Sequence, residues 1–170
     1  MSFTFNTEYG YKAFLELARA LRKTVKKKAT IGRYLLAICL VILAAVRFGR
    51  VEEMDIATLI ILIAVILMTL VLLFQDQIDA FYSKKNLPHG GKTVRYVFSD
   101  GGYESVFGEE ATSHKYSDIG FIAETDNYFL LIFEEIPAQL LDKSTLSEGD
   151  AESFRRFISD KTDAEYKFVK

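Results

Sequence analysis

From Ile56 to Phe74 the chain reads IATLIILIAVILMTLVLLF, nineteen residues without a charge. As a helix rising ~1.5 Å per residue, this run is about 28 Å long, against a bilayer hydrocarbon core of about 30 Å. It carries no polar stripe, and a chain of 170 residues has no core large enough to surround it, so a buried helix of a water-soluble fold is disfavoured. A second apolar run precedes it. Only thirteen uncharged residues separate Arg33 from Arg47, but arginine stems can lie along hydrocarbon, which extends a span to 29–48. The lysines and the short apolar core before Leu43-Ala44-Ala45 resemble a cleaved signal peptide. The charged front is long for one, however, and a second span follows almost at once. The reading is a membrane helical hairpin, with spans over 29–48 and 56–74 and an external loop over 49–55.

Charge is shared unevenly along the chain. Residues 1–50 hold ten Lys/Arg against two Asp/Glu, and residues 91–170 hold nine against sixteen. Arg19, Arg22, Lys23, Lys26, Lys27, Lys28 and Arg33 stand before the first span, and Lys84, Lys85, Lys92 and Arg95 follow the second. The loop has only Arg47 and Arg50, beside Glu52, Glu53 and Asp55. Positive residues gather on the cytoplasmic side, so a two-pass protein of the cell membrane with both termini cytoplasmic is expected. The acidic C-terminal part would repel phosphates, which argues against a nucleic-acid partner. Cys39 is the one cysteine, so no intrachain disulfide can form, and it reads as a small hydrophobe of the first span.

The polar segments point to a second body. Phe3 and Phe5 alternate with polar residues as in a strand, placed at 1–7. An amphipathic basic helix is expected over 8–28, with Phe14, Leu17, Ala18, Leu21 and Val25 on one stripe and Asn6 or Thr7 as its cap. A juxtamembrane connector is placed at 75–92. Strands follow in TVRYVFS, YESVFG, SHKYSDIGFIAE, NYFLLIFE and AQLLDK, with SDGG and HGGK as turns. In SEGDAESFRRFISD the period changes, placing Ala151, Phe154 and Ile158 on a helical stripe with Ser147 and Asp150 as its capping pair. The strands and this closing helix occupy 93–160, and 161–170 is a tail. The expected fold is an α+β membrane protein: a transmembrane hairpin inserted in a small antiparallel β domain of about seven strands with a C-terminal helix.

YVFSDGGYES, YSDIGFIAETDNYFLLIF and DKSTLSEGDAESFRRFI, in that order behind a two-span hairpin, resemble the YcxB-like membrane proteins of Gram-positive bacteria. The opening FTFNTEYGYKAFLELAR fits the same family, so the resemblance covers nearly the whole chain. Tyr116-Ser117-Asp118-Ile119, Glu124-Thr125 and Tyr128-Phe129 are its most specific part. Where the family commonly has proline before the lysine matched by Lys143, this chain has Asp142. The resemblance implies a pleckstrin-homology-like domain. It brings no catalytic residue, and by fold analogy it suggests binding.

Chemistry is sparse. The two histidines, His89 and His114, read as surface or loop residues, and no metal-ligand spacing, nucleophile elbow or phosphate loop accompanies them. Glu109-Glu110 and Glu134-Glu135 read as solvated loop tips. The expectation is therefore a non-enzyme without cofactor or metal. Lys26, Lys27, Lys28, Lys84, Lys85, Lys92 and Arg95 are the candidates for lipid headgroup contact. The expected function is a membrane-anchored binding or scaffold protein, whose partners are the bilayer and a protein or a second copy of itself. The alternative is an immunity or self-protection protein against a membrane-active or secreted toxin.

Overall fold

The structure, a computed structural model, describes residues 2–49, 55–86 and 92–169. The expected external loop at 49–55 lies outside these residues except for Gly49 and Asp55, as do His89 and all of the HGGK turn but Lys92. The chain divides into two compact units, one of residues 21–78 and one of residues 1–20 and 79–170.

Residues 21–78 hold the end of helix α1 (Tyr11–Lys23), all of α2 (Lys27–Phe48) and most of α3 (Ile56–Asn86). The segments Lys27–Phe48 and Ile56–Lys85 are long and apolar enough to cross a membrane. Their large side chains are bare: Leu35 is 58% and Leu73 67% exposed. So much contiguous apolar surface marks a membrane-facing or protein-facing side. Arg47 Nη2 meets Asp55 Oδ2 at 2.5 Å near one end, and Gln75 Nε2 donates to Tyr34 Oη at 3.4 Å near the other, so α2 and α3 run antiparallel. Asp55 also caps α3 by accepting from Thr58 N at 2.8 Å. Arg22 grips Asp76 with two hydrogen bonds of 2.7 and 2.9 Å. The helix does not stop at Phe74. Residues 75–86 of the expected connector are helical, because charge ends the apolar run but no glycine or proline breaks the helical period before Pro88. Lys84 and Lys85 in its last turn suit the negative end of the helix dipole.

The other unit contains β1 (Phe3–Glu8), most of α1, β2 (Thr93–Ser99), β3 (Gly102–Phe107), β4 (Glu110–His114), β5 (Phe121–Glu124), β6 (Tyr128–Ile132), β7 (Gln139–Asp142), α4 (Ala151–Lys161) and β8 (Glu165–Phe168). One sheet has the order β1-β2-β3-β4, all antiparallel; the other has the order β7-β6-β5-β8. Strand alternation turns Phe3, Phe5, Val94, Tyr96, Phe98 and Tyr103 inward, each 2% exposed or less. Phe154 of α4, fully buried, then plugs the space between the sheets. Its ring centroid lies 4.8 Å from Phe5 and 5.0 Å from Phe98 of the first sheet, and 5.0 Å from Phe129 of the second. Ile158 follows one helical turn later on the same buried stripe.

Several expectations are corrected. Asn6 and Thr7 lie in β1 and do not cap α1, which starts at Tyr11 with Phe14 N bonded to Gly10 O at 3.2 Å. Val25 lies beyond the end of α1 and is 60% exposed. SHKYSDIGFIAE is not one strand: a single 3-10 turn at Tyr116–Asp118 separates β4 from β5, letting the Tyr116 hydroxyl donate to Ser99 O at 2.5 Å. The N-cap of α4 is Asp150, accepting from Ser153 N at 2.7 Å, while Ser147 bonds Thr4 across the sheet. The tail expected at 161–170 contains β8, which pairs parallel with β5. Parallel neighbours need a crossover connection, and α4 supplies it.

Gly149, just before this cap, has φ 119°, and a Cβ there would stand 2.7 Å from Cε1 of Phe3. Gly149→Ala is therefore expected to lower stability by ~1–3 kcal/mol from backbone strain and the clash. A urea titration of the full chain in micelles, followed by tyrosine fluorescence, checks this; an unchanged midpoint would refute it.

Candidate functional site

The β3–β4 hairpin turns in two residues, Gly108 and Glu109, with Gly108 at φ 62° where glycine is favoured. Alternation then sends Tyr103, Ser105 and Phe107 of β3, with His114, Thr112 and Glu110 opposite them, to the core side of the sheet. Toward β4 the covering runs out. Thr112 and Glu110 are exposed and His114 is half-buried, although they occupy core-side positions. What faces them is the bend between β6 and β7, where Glu134, Glu135, Ile136 and Pro137 are exposed.

Two adjoining hollows result. The inner one, about 210 Å³, lies between Tyr96, Ser105 and Phe107 on one side and Ile136, Pro137 and Gln139 on the other. The outer one, about 610 Å³, is lined by Asp118, Glu134 and Glu135 together with His114, Phe133 and Ile136. Its size is that of a ligand-binding cleft, and its wall combines carboxylates with apolar surface.

A hydrogen-bond chain stiffens the wall between them. The Tyr103 hydroxyl donates to Gln139 Oε1 at 2.8 Å, which turns the Gln139 amide nitrogen toward His114 Nε2 at 3.3 Å. Ser105 Oγ lies 2.8 Å from the same ring nitrogen. With the amide donating, Nε2 is an acceptor and the ring proton is assigned to Nδ1. Burial pushes the His114 pKa down, opposed by the charge of Asp118, which agrees with a neutral ring. The ring stacks on Tyr103 with centroids 4.9 Å apart. A serine hydroxyl against a histidine nitrogen has the geometry of a nucleophile and its base. Here, however, the one lone pair of Nε2 faces two donors, and the arrangement holds β3, β4 and β7 together. The expectation that His114 is an ordinary surface or loop residue is thereby corrected; it ends a strand and is bonded to two elements.

Deeper in, the Tyr9 and Tyr96 hydroxyls are 2.6 Å apart, and Leu140 N of β7 donates to Tyr9 Oη at 3.1 Å. Burial raises the pKa of both phenols, so each stays protonated at neutral pH. Tyr9→Phe leaves Leu140 N in the interior without its acceptor, and a loss of ~1–3 kcal/mol is expected. The urea midpoint of the full chain reads it; no shift would mean that water replaces the hydroxyl.

The basic residues named from sequence are divided between the two units. Lys26, Lys27 and Lys28 are exposed at the start of α2, in residues 21–78. Lys84 and Lys85 are exposed at the end of α3. Lys92 places its Nζ 4.7 Å from the centre of the Phe107 ring, at the rim of the inner hollow. Arg95 is exposed on the outer face of β2, opposite the side taken by Val94 and Tyr96. Among the described residues, no group of three or more His, Cys, Asp or Glu is placed to hold a metal ion. Sequence reading passed over Ser105 and Gln139. They meet His114 only through strand register and sheet packing, and no local motif encodes that meeting.

Residues 98–158 match the family model described as YcxB-like protein. The matched stretch runs from Phe98 in β2 to Ile158 in α4, so it contains the cleft and most of the aromatic core. No curated protein and no solved structure matches the chain significantly.

Proposed function

We propose that this chain, YcxB-like over residues 98–158, is a membrane-anchored, non-catalytic binding protein whose β domain is pleckstrin-homology-like and faces the cytoplasm. The observation that carries the reading is the cleft beside β4, where core-side positions of an otherwise covered sheet stand open between carboxylates and apolar side chains. Four antiparallel strands, interrupted after the first by α1–α3, then three more, a helix and a last short strand, in that chain order, support the fold assignment. Helices α2 and α3 serve as the anchor, and the excess of lysine and arginine outside the pair orients both termini inward. Lys26, Lys27, Lys28, Lys84 and Lys85 then meet acidic headgroups, each contributing ~1 kcal/mol near the surface.

In-cell crosslinking of the full-length protein in its native membrane, with mass spectrometry of what copurifies, tests this function. A reproducible protein partner is expected. Recovery of lipid alone would overturn the reading.

A further inference from the structure

We propose that the free edge of β4 accepts an extended, basic segment of a partner protein, which adds to the sheet as a fifth strand and lays cationic side chains in the acidic groove. The inference rests on the reading of the protein as a binding module and names the chemistry of its partner.

Sheet edges are where the chain can pair with another chain, and natural folds normally block them. Each other edge of this unit has such a device. Along β1, Thr4 and Ser147 exchange backbone hydrogen bonds of 3.3 and 2.9 Å, and Asn6 N donates to Thr145 Oγ1 at 3.0 Å. Along β7, Asp142 N donates to Thr7 Oγ1 at 2.9 Å and Leu140 N to Tyr9 Oη at 3.1 Å. β8 is four residues long and carries charge at Glu165 and Lys167. β4 differs. At five residues it is also short, and Glu110 next to the turn is charged. Ala111, Thr112 and Ser113, however, are uncharged and exposed, it has no proline and no lysine, and among the described residues no strand pairs with its outer edge.

Register identifies the groups on offer. In a two-residue hairpin the flanking residues form a hydrogen-bonded pair, here Phe107 with Glu110, and bonded pairs then alternate. Glu110, Thr112 and His114 thus bond to β3, whereas Ala111 and Ser113 turn their N–H and C=O groups outward. The small side chains of Ala111 and Ser113 leave that approach uncrowded.

The groove beside this edge selects the occupant. Asp118, Glu134 and Glu135 line it, while Ile136, 41% exposed, and Phe133 supply an apolar floor. Lys115, the cation next in sequence to β4, lines a hollow on the opposite side with Glu104 and Ser113. A strand added to β4 would point alternate side chains into the acidic groove. Lysine or arginine there gains charge pairing, and its aliphatic stem covers the apolar floor.

The test uses full-length protein in lipid nanodiscs and a phage-displayed library of random decapeptides. Enrichment of peptides with Lys or Arg at alternate positions is expected. The best of them, made synthetically, should bind roughly 10-fold or more weakly to the Glu134→Lys/Glu135→Lys variant, whose changes are at exposed positions. N-methylation of alternate peptide amides should weaken binding by a similar factor while leaving the protein untouched. Failure of any peptide to enrich over the charge-reversed variant overturns the proposal. Enriched peptides indifferent to N-methylation overturn it too, since they would bind by side chains alone. A crosslinked partner kept by the charge-reversed variant would preserve the binding function and remove this surface from it. Peptides that bind as expected, with no partner crosslinked in cells, would do the reverse.

Discussion

Phe154→Ala is expected to remove ~3–5 kcal/mol of stability, the cost of deleting a buried aromatic ring and leaving a cavity behind. The residue is fully buried, and its ring touches Phe3, Phe5, Phe98 and Phe129, which come from both sheets. Phe3, Phe5, Phe98 and Phe129 are each held by strand pairing, which limits how far they can collapse into the vacated space. Small domains have only ~5–15 kcal/mol in total, so the variant should lie close to unfolding. Phe157, half-buried one position from the stripe, sits 6.5 Å from Phe154 and serves as the comparison. Phe157→Ala should cost clearly less. Equal urea midpoints for the two variants, read by tyrosine fluorescence of the full chain in micelles, would show that α4 does not plug the sandwich.

Glu124→Ala should cost ~2–4 kcal/mol, because it leaves the largely covered Lys143 ammonium and the Tyr166 hydroxyl without their acceptor, whereas Arg155, 42% exposed, can turn to water. The Glu124 side chain is 1% exposed. It accepts from Lys143 Nζ at 2.6 Å and from Arg155 at 2.8 and 2.7 Å, and the Tyr166 hydroxyl also donates to it. One carboxylate thereby ties β5 to the start of the turn after β7, to α4 and to β8. Burial alone would push its pKa up, but the bonds from Arg155, Lys143 and Tyr166 outweigh burial and hold it at about 2. A folded-state pKa below the unfolded value of about 4.3 stabilises the fold fully above that unfolded value. The contribution is then lost as pH falls from about 5 toward 2. Wild type should accordingly lose more stability than Glu124→Gln between pH 6 and pH 3. Parallel pH profiles would show that the carboxylate is not the linked group.

The sequence made the apolar helices and the inner face of β2 plain, because an uncharged run and a strict alternation of Val94, Tyr96 and Phe98 are local signals. Phe154 and Ile158 were legible for the same reason, at the period of a helix. β8 was not: four residues give little alternation, and a parallel pair with β5 has no turn to announce it. The helical stretch Gln75–Asn86 was missed because its charges hid an unbroken period. The cleft was the least legible part. Glu134, Glu135 and Asp118 are ordinary surface carboxylates in sequence, and they share a groove only because the bend after β6 and the 3-10 turn after β4 meet in the folded unit.

The pairing of Glu8 with Thr93 has a consequence for how the protein is made. Residues 9–92 lie between these partners, so on the ribosome β1 waits on the order of ten seconds for β2 at ordinary synthesis rates. Throughout that wait Phe3 and Phe5, buried in the finished domain, lack the strand and helix partners that cover them there. The sheet can close only after both apolar helices have been translated. A chain truncated anywhere within them leaves an orphan strand with two bare aromatic rings, a ready mark for proteolysis. The order of synthesis thus makes folding of the β domain a report that both apolar helices have been produced.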